Sequence, residues 1–140
     1  MTVGYSENGG NGKDGRNISI VAESQNINGN EVIKIVITDY DNGELLAEAK
    51  INAESKVTIN VSGGHGGNGV NGSSNYSGNG KDGGNAGNGG NVMLSGNASS
   101  KLNIEVLNSG GKGGSGGSAK TSSHSSGSRG LDGTKGTFIK

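Results

Sequence analysis

Two textures alternate along the chain. In the first, apolar and polar residues alternate with a period of two, which reads as half-buried β-strand. Ile18 and Ile20 share one side of a strand expected over 17–22. Ile33, Ile35 and Ile37 line one face over 31–39, with Val32 and Val36 on the other, which predicts burial on both sides. Asp41-Asn42-Gly43 is a hairpin signal, and 44–51 returns with Leu45, Ala47, Ala49 and Ile51 aligned. The Ala, Leu, Glu and Lys content of that stretch also suits a helix. The preceding turn and the short length favour a strand. Further strands are expected over 56–62, with Val57, Ile59 and Val61 inward and Thr58 and Asn60 outward, over 92–94, over 101–107 with Leu102, Ile104 and Val106 aligned, and over 137–139.

The second texture has a period of three. Gly63, Gly66, Gly69, Gly72, Gly78, Gly84, Gly87 and Gly90 keep one frame, interrupted only at Asn75 and Lys81. Shorter copies run through Gly9, Gly12 and Gly15, through Gly110, Gly113 and Gly116, and through Gly127, Gly130, Gly133 and Gly136. Three residues per turn is the period of a polyproline-II type helix, which is extended and has no internal hydrogen bonds. Over 78–91 its faces separate. One carries Gly78, Lys81, Gly84, Gly87 and Gly90, and the second Gly80, Gly83, Ala86 and Gly89. The third is a polar ladder of Asn79, Asp82, Asn85, Asn88 and Asn91, expected to face outward. The bare faces predict helices packed backbone to backbone, with every peptide group paired to a neighbour.

Each glycine block abuts a strand, and the rises per residue of the two forms are similar. The expected fold is therefore all-β: a small antiparallel sheet or sandwich layer continuing into a bundle of polyglycine-II helices. The chain of 140 residues reads as a single domain. Its parts are a Gly-rich arm (1–16), a β layer (17–62), glycine blocks (63–91), strands (92–107), then glycine blocks and a terminal strand (108–140).

Glycine accounts for 31 residues, and the formal net charge is zero. Balanced charge and the absence of Trp argue against nucleic-acid binding, which calls for basic stripes and stacking platforms. No stretch is apolar enough to insert into a membrane, no signal peptide is visible, and there is no cysteine. No catalytic or metal-ligating constellation emerges: His65 and His124 have no carboxylate or cysteine beside them in sequence. No cofactor is implied. The run from Asp39 to Glu44 misses the spacing of a calcium loop and reads as a hairpin turn.

The stretches 63–72 (GGHGGNGVNG), 78–90 (GNGKDGGNAGNGG), 110–117 (GGKGGSGG) and 127–136 (GSRGLDGTKG) resemble polyglycine-II bundle proteins. These include the receptor-binding tip adhesins of some bacteriophage long tail fibres and the glycine-rich antifreeze protein of snow fleas. In such adhesins, loops between blocks contact the receptor. The resemblance thus points to the non-glycine loops 73–77 and 119–126, with Asn75, Tyr76, Lys120 and His124 as possible ligand contacts. The leading expectation is a non-enzymatic, self-assembling fibre or surface-appendage subunit, outside the cell or on a virion, forming a homo-oligomer or filament. An adhesin for a cell-surface protein or glycan comes second, and ice binding by the regular polar face third.

Overall fold

A computed structural model describes residues 2–4, 10–72 and 78–140; Gly9, Asn75 and Tyr76 lie outside them. Among the described residues all regular structure is strand: β1 (Thr2–Gly4), β2 (Ile18–Ile27), β3 (Asn30–Asp39), β4 (Leu45–Ile51), β5 (Lys56–Asn60), β6 (Val92–Ser95), β7 (Asn103–Leu107) and β8 (Phe138–Ile139). They form a five-stranded sheet, in the order β4-β3-β2-β6-β8, and a three-stranded sheet, β1-β5-β7.

One apolar cluster joins the sheets. Ile18, Ile20, Ile33, Ile35, Ile37 and Val92 come from the larger sheet, Val57 and Ile59 from the smaller, and all are fully buried. Each such side chain contributes roughly 1.5–3 kcal/mol by leaving water. Val32 and Val36 are only half-buried, so the expected double burial of that strand is corrected. The core cluster takes up one face of β3, that of Ile33, Ile35 and Ile37, and Val32 and Val36 point the other way.

The sheets are not the antiparallel layer expected. Only β2–β3 and β3–β4 are antiparallel, whereas β2–β6, β6–β8, β1–β5 and β5–β7 are parallel. The β2–β6, β6–β8 and β5–β7 pairs are parallel because these strands emerge from, or lead into, glycine segments that run side by side in one direction.

The β2–β3 hairpin turns on Asn28 and Gly29, whose φ values of 51° and 81° are both positive. That is the type I′ geometry favoured by Asn-Gly between strands. In the β3–β4 turn, Asp39 Oδ1 accepts the N–H groups of Asp41 and Asn42. The pairing register shifts between Ile37 and Thr38, opposite Ala47 and Leu45. This irregularity turns Leu45 outward, to 57% exposure, and lets Leu46 pack on the core. The expected alignment of Leu45 with Ala47 is corrected accordingly.

Candidate functional site: the loop end of the glycine bundle

Five glycine-bearing segments lie beside one another: I (10–17), II (61–72), III (78–91), IV (108–118) and V (127–137). Their backbone bonds recur every third residue. Segment I donates to III from Gly12 to Asn85 O and from Gly15 to Asn88 O, so the two run parallel. Segment III donates to V at Gly83, Ala86 and Gly89, and at Gly80 to Ser125 just before it, also in parallel. Segment II donates to IV at Gly63, Gly66, Gly69 and Gly72, again in parallel. Bonds between these two rows run antiparallel, as in Gly84 N–H to Gly67 O and Gly114 N–H to Gly84 O. The bundle is thus two layers, I-III-V over II-IV, with opposite chain directions. Segment III bonds to all four others, and segments I and V each bond to two.

At most glycines between the layers no room exists for a side chain. A Cβ on Gly63, Gly66, Gly69 or Gly72 would overlap carbonyl groups of segment III; on Gly84, Gly87 or Gly90 it would overlap segment I, and on Gly110, Gly113 or Gly116 segment V. Gly78 differs from these. Its φ is +82°, and a Cβ there would strike the ring of His124, so it is a turn glycine at the loop end. The same crowding occurs at Gly83, Gly89, Gly111, Gly114 and Gly117, outside the frames that begin at Gly63 and Gly110.

Within each layer, side chains complete the pairing. The Asn79 Oδ1 accepts the Ser125 N–H at 2.9 Å, while the next residue, Gly80, donates its N–H to Ser125 O at 2.8 Å. Ser125, just before segment V, is thereby clamped at both its peptide groups. Asp82-Gly83 clamps Ser128, Asn85-Ala86 clamps Leu131, and Asn88-Gly89 clamps Thr134 in the same way. Segment I clamps segment III through Asn11-Gly12 and Asp14-Gly15. Segment II clamps segment IV through Asn68-Gly69 and Asn71-Gly72. His65 takes the acceptor role in one more clamp: its Nδ1 accepts the Lys112 N–H at 2.8 Å, so that nitrogen carries no proton. The ladder does face outward, but its side chains lie across the seams and bond sideways. The residue type one position before each donating glycine was the available signal.

At one end the five segments join the sheets: Ile18 N–H bonds to Asn91 O, Val61 N–H to Leu107 O and Val92 N–H to Thr137 O. The other end gathers the connections. Segments II and IV run away from the sheets, and III and V return. Residues 119–126 therefore link IV to V at the same end where 73–77 link II to III. Asn75 and Tyr76 belong to that second connection, outside the described residues. Lys120 and His124 are brought together against the start of segment III. Lys120 is exposed, and its N–H bonds to Gly78 O at 2.8 Å. His124 is half-buried, with its N–H on Thr121 O and its Nδ1 2.7 Å from Thr121 Oγ1, which in turn lies 2.8 Å from Ser123 Oγ. The loop presents a small polar surface of hydroxyls, an imidazole and an ammonium.

A cleft of about 230 Å³ lies at the opposite end of the bundle, between Tyr40, Met93 and Ile139. Its amide groups are already engaged: Asn17 bonds to Asn91 N–H and to Asp41, and Asn91 Oδ1 accepts from Thr137. The open flank of segment V carries Arg129, Asp132 and Lys135. Asp132 Oδ1 accepts the Gly113 N–H at 2.8 Å and pairs with Arg129 at 2.7 Å. The Gly113 N–H, and after it Arg129, hold the Asp132 carboxyl below its ordinary range. Among the described residues no group of three His, Cys, Asp or Glu gathers as metal ligands, and no helix is long and apolar enough to cross a membrane. Neither the protein-family models, the curated proteins nor the solved structures offer a match to this chain.

Proposed function

We propose that the chain is a rigid display module of the adhesin type, in which a bundle of polyglycine-II helices holds recognition loops for a cell-surface protein or glycan. The observation that carries this reading is the gathering of both inter-segment connections at the end remote from the sheets. A scaffold locked by backbone contacts presents such loops at little cost in ordering on binding. The polyglycine-II assignment rests on the three-residue recurrence of bonds to neighbours on several sides and on the lack of space for a Cβ at most of the bundle glycines. Measured φ and ψ near about −75° and +145° along 79–90 would support it, and scattered values would refute it.

The self-assembling fibre has less in its favour. On segment V the positions equivalent to the ladder hold Ser125, Ser128, Leu131, Thr134 and Thr137 in place of Asn and Asp. Charges along the flank discourage a further chain from pairing there. The test is retention of labelled protein on intact bacterial cells. Loss of retention in Tyr76→Ala or His124→Ala, with thermal unfolding unchanged, is the expected result. Regular filaments in electron micrographs of the purified protein, with undiminished cell retention by both variants, would sink the display reading.

A further inference from the structure

Asn-Gly is the dipeptide most prone to spontaneous deamidation, because the small glycine lets its backbone nitrogen reach the asparagine carboxamide. The glycine N–H gives up its proton to solvent base, and the nitrogen bonds to Cγ. The Cγ–Nδ2 bond then breaks and ammonia leaves. The resulting succinimide is opened by water to aspartate or isoaspartate. The reaction needs both reacting groups free: the glycine N–H and the asparagine carboxamide.

In the bundle both are tied to another segment. Asn11, Asn68, Asn71, Asn79 and Asn88 each precede a glycine, and each holds a neighbour's N–H on Oδ1 at 2.9–3.0 Å. The following glycines, Gly12, Gly69, Gly72, Gly80 and Gly89, all donate to a neighbouring carbonyl at 2.7–2.8 Å. Asn42-Gly43 sits in an exposed turn, yet it too is tied: Gly43 N–H bonds to Asp39 O at 2.8 Å, and Asn42 Oδ1 accepts the Glu44 N–H at 2.9 Å. Asn28-Gly29 stands apart. Both residues are exposed at the tip of the β2–β3 hairpin. Among the described residues neither the Asn28 carboxamide nor the Gly29 N–H has a hydrogen-bond partner.

We infer that, among the described residues, Asn28 is the site of spontaneous modification to aspartate and isoaspartate, and that the hydrogen bonds of the glycine bundle and of the β3–β4 turn protect the other described Asn-Gly pairs. The site lies at the end of the molecule opposite the loops. It adds a negative charge there with age and leaves the proposed recognition surface unchanged. Asp14 and Asp82 already serve as clamp acceptors, so the lattice does not require asparagine chemically. It shelters the asparagines it has.

The experiment is peptide mapping by mass spectrometry after incubating the native protein at mildly alkaline pH, with fragmentation that separates isoaspartate from aspartate. Conversion at Asn28 is expected to run at least about tenfold faster than at Asn42 or at Asn11, Asn68, Asn71, Asn79 and Asn88, a barrier difference of about 1.4 kcal/mol. In urea, with the chain unfolded, all should convert at comparable rates. Conversion of Asn42 alongside Asn28 in the native protein would show that exposure, not hydrogen bonding, decides, and would overturn the inference. So would native ladder asparagines that convert as fast as Asn28.

Discussion

The sheet half and the glycine half share one two-layer plan but are held together by opposite means. In the sheet half, layers are separated by interleaved side chains, at the spacing of about 10 Å usual for stacked sheets. Ile35 and Ile59 from facing layers share one apolar cluster. In the glycine half the layers meet backbone to backbone, and a single methyl would overlap a carbonyl. The first arrangement draws its stability from area removed from water. The second draws it from hydrogen bonds in several directions, and it must offset the large entropy lost when glycine is ordered. The hydrogen bonding crosses the join without a gap: Ile18 and Val92 directly follow segments I and III and begin β2 and β6, while Val61 follows β5 and begins the donors of segment II.

The sharpest way to break this comparison is a methyl in the bundle. Gly87→Ala places a Cβ against the Lys13 carbonyl, which already accepts the Gly64 N–H of segment II. A loss of about 4 kcal/mol or more is expected in urea unfolding, since backbone cannot step aside as side chains do. A cost below that of an exposed substitution would end the claim that backbones pack there. Ile35→Ala removes a fully buried side chain from the other half, and a smaller loss of about 3 kcal/mol should follow. Asn88→Ala tests the clamps: Thr134 loses the acceptor for its N–H and hydroxyl. Water can replace it at this exposed seam, so about 1 kcal/mol is expected. Asn88→Asp should be close to neutral, given Asp14 and Asp82 in the same role.

The smallest effect concerns pH. Asp132 has its folded pKa depressed, chiefly by the Gly113 N–H and then by Arg129. Its stabilising contribution is therefore complete above the unfolded-state value, about 3.9. It is lost as pH falls through the lower folded value. Melting temperatures measured from neutral pH downward should differ between wild type and Asp132→Asn at neutral pH and converge in acid. A constant gap would show that the carboxylate charge plays no part.

Much of this was legible in the residues. Ile33, Ile35 and Ile37 announced a strand by their spacing, and the Gly63–Gly90 frame announced bare faces. Strand direction was not legible, because a three-residue period says which faces are bare and not which neighbour covers them. The Leu45 rotation was hidden for a similar reason: alternation assumes an unbroken register, and the shift at Ile37/Thr38 breaks it. Asn28-Gly29 was legible and overlooked; its dipeptide is a hairpin signal in its own right. The loop end could have been reached by counting. The order strand, block, loop, block, strand returns the chain to its starting end, so both connections must turn at the other. Asn75 and Tyr76 sit in the connection outside the described residues, and their role awaits the cell-retention test.

The clamps span 47 residues between segments II and IV and 46 between III and V. The stretch from β5 to β6 and the stretch from β7 to β8 are therefore successive turns of one winding, each adding one chain to either layer and one loop to the tip. Such a body can widen by whole windings without disturbing those already laid down. The number of loops at that end then grows with the number of windings, and Ser125, Ser128, Leu131 and Thr134, lacking a carboxamide or carboxylate, offer a further winding no clamp of the kind Asn79, Asp82, Asn85 and Asn88 provide.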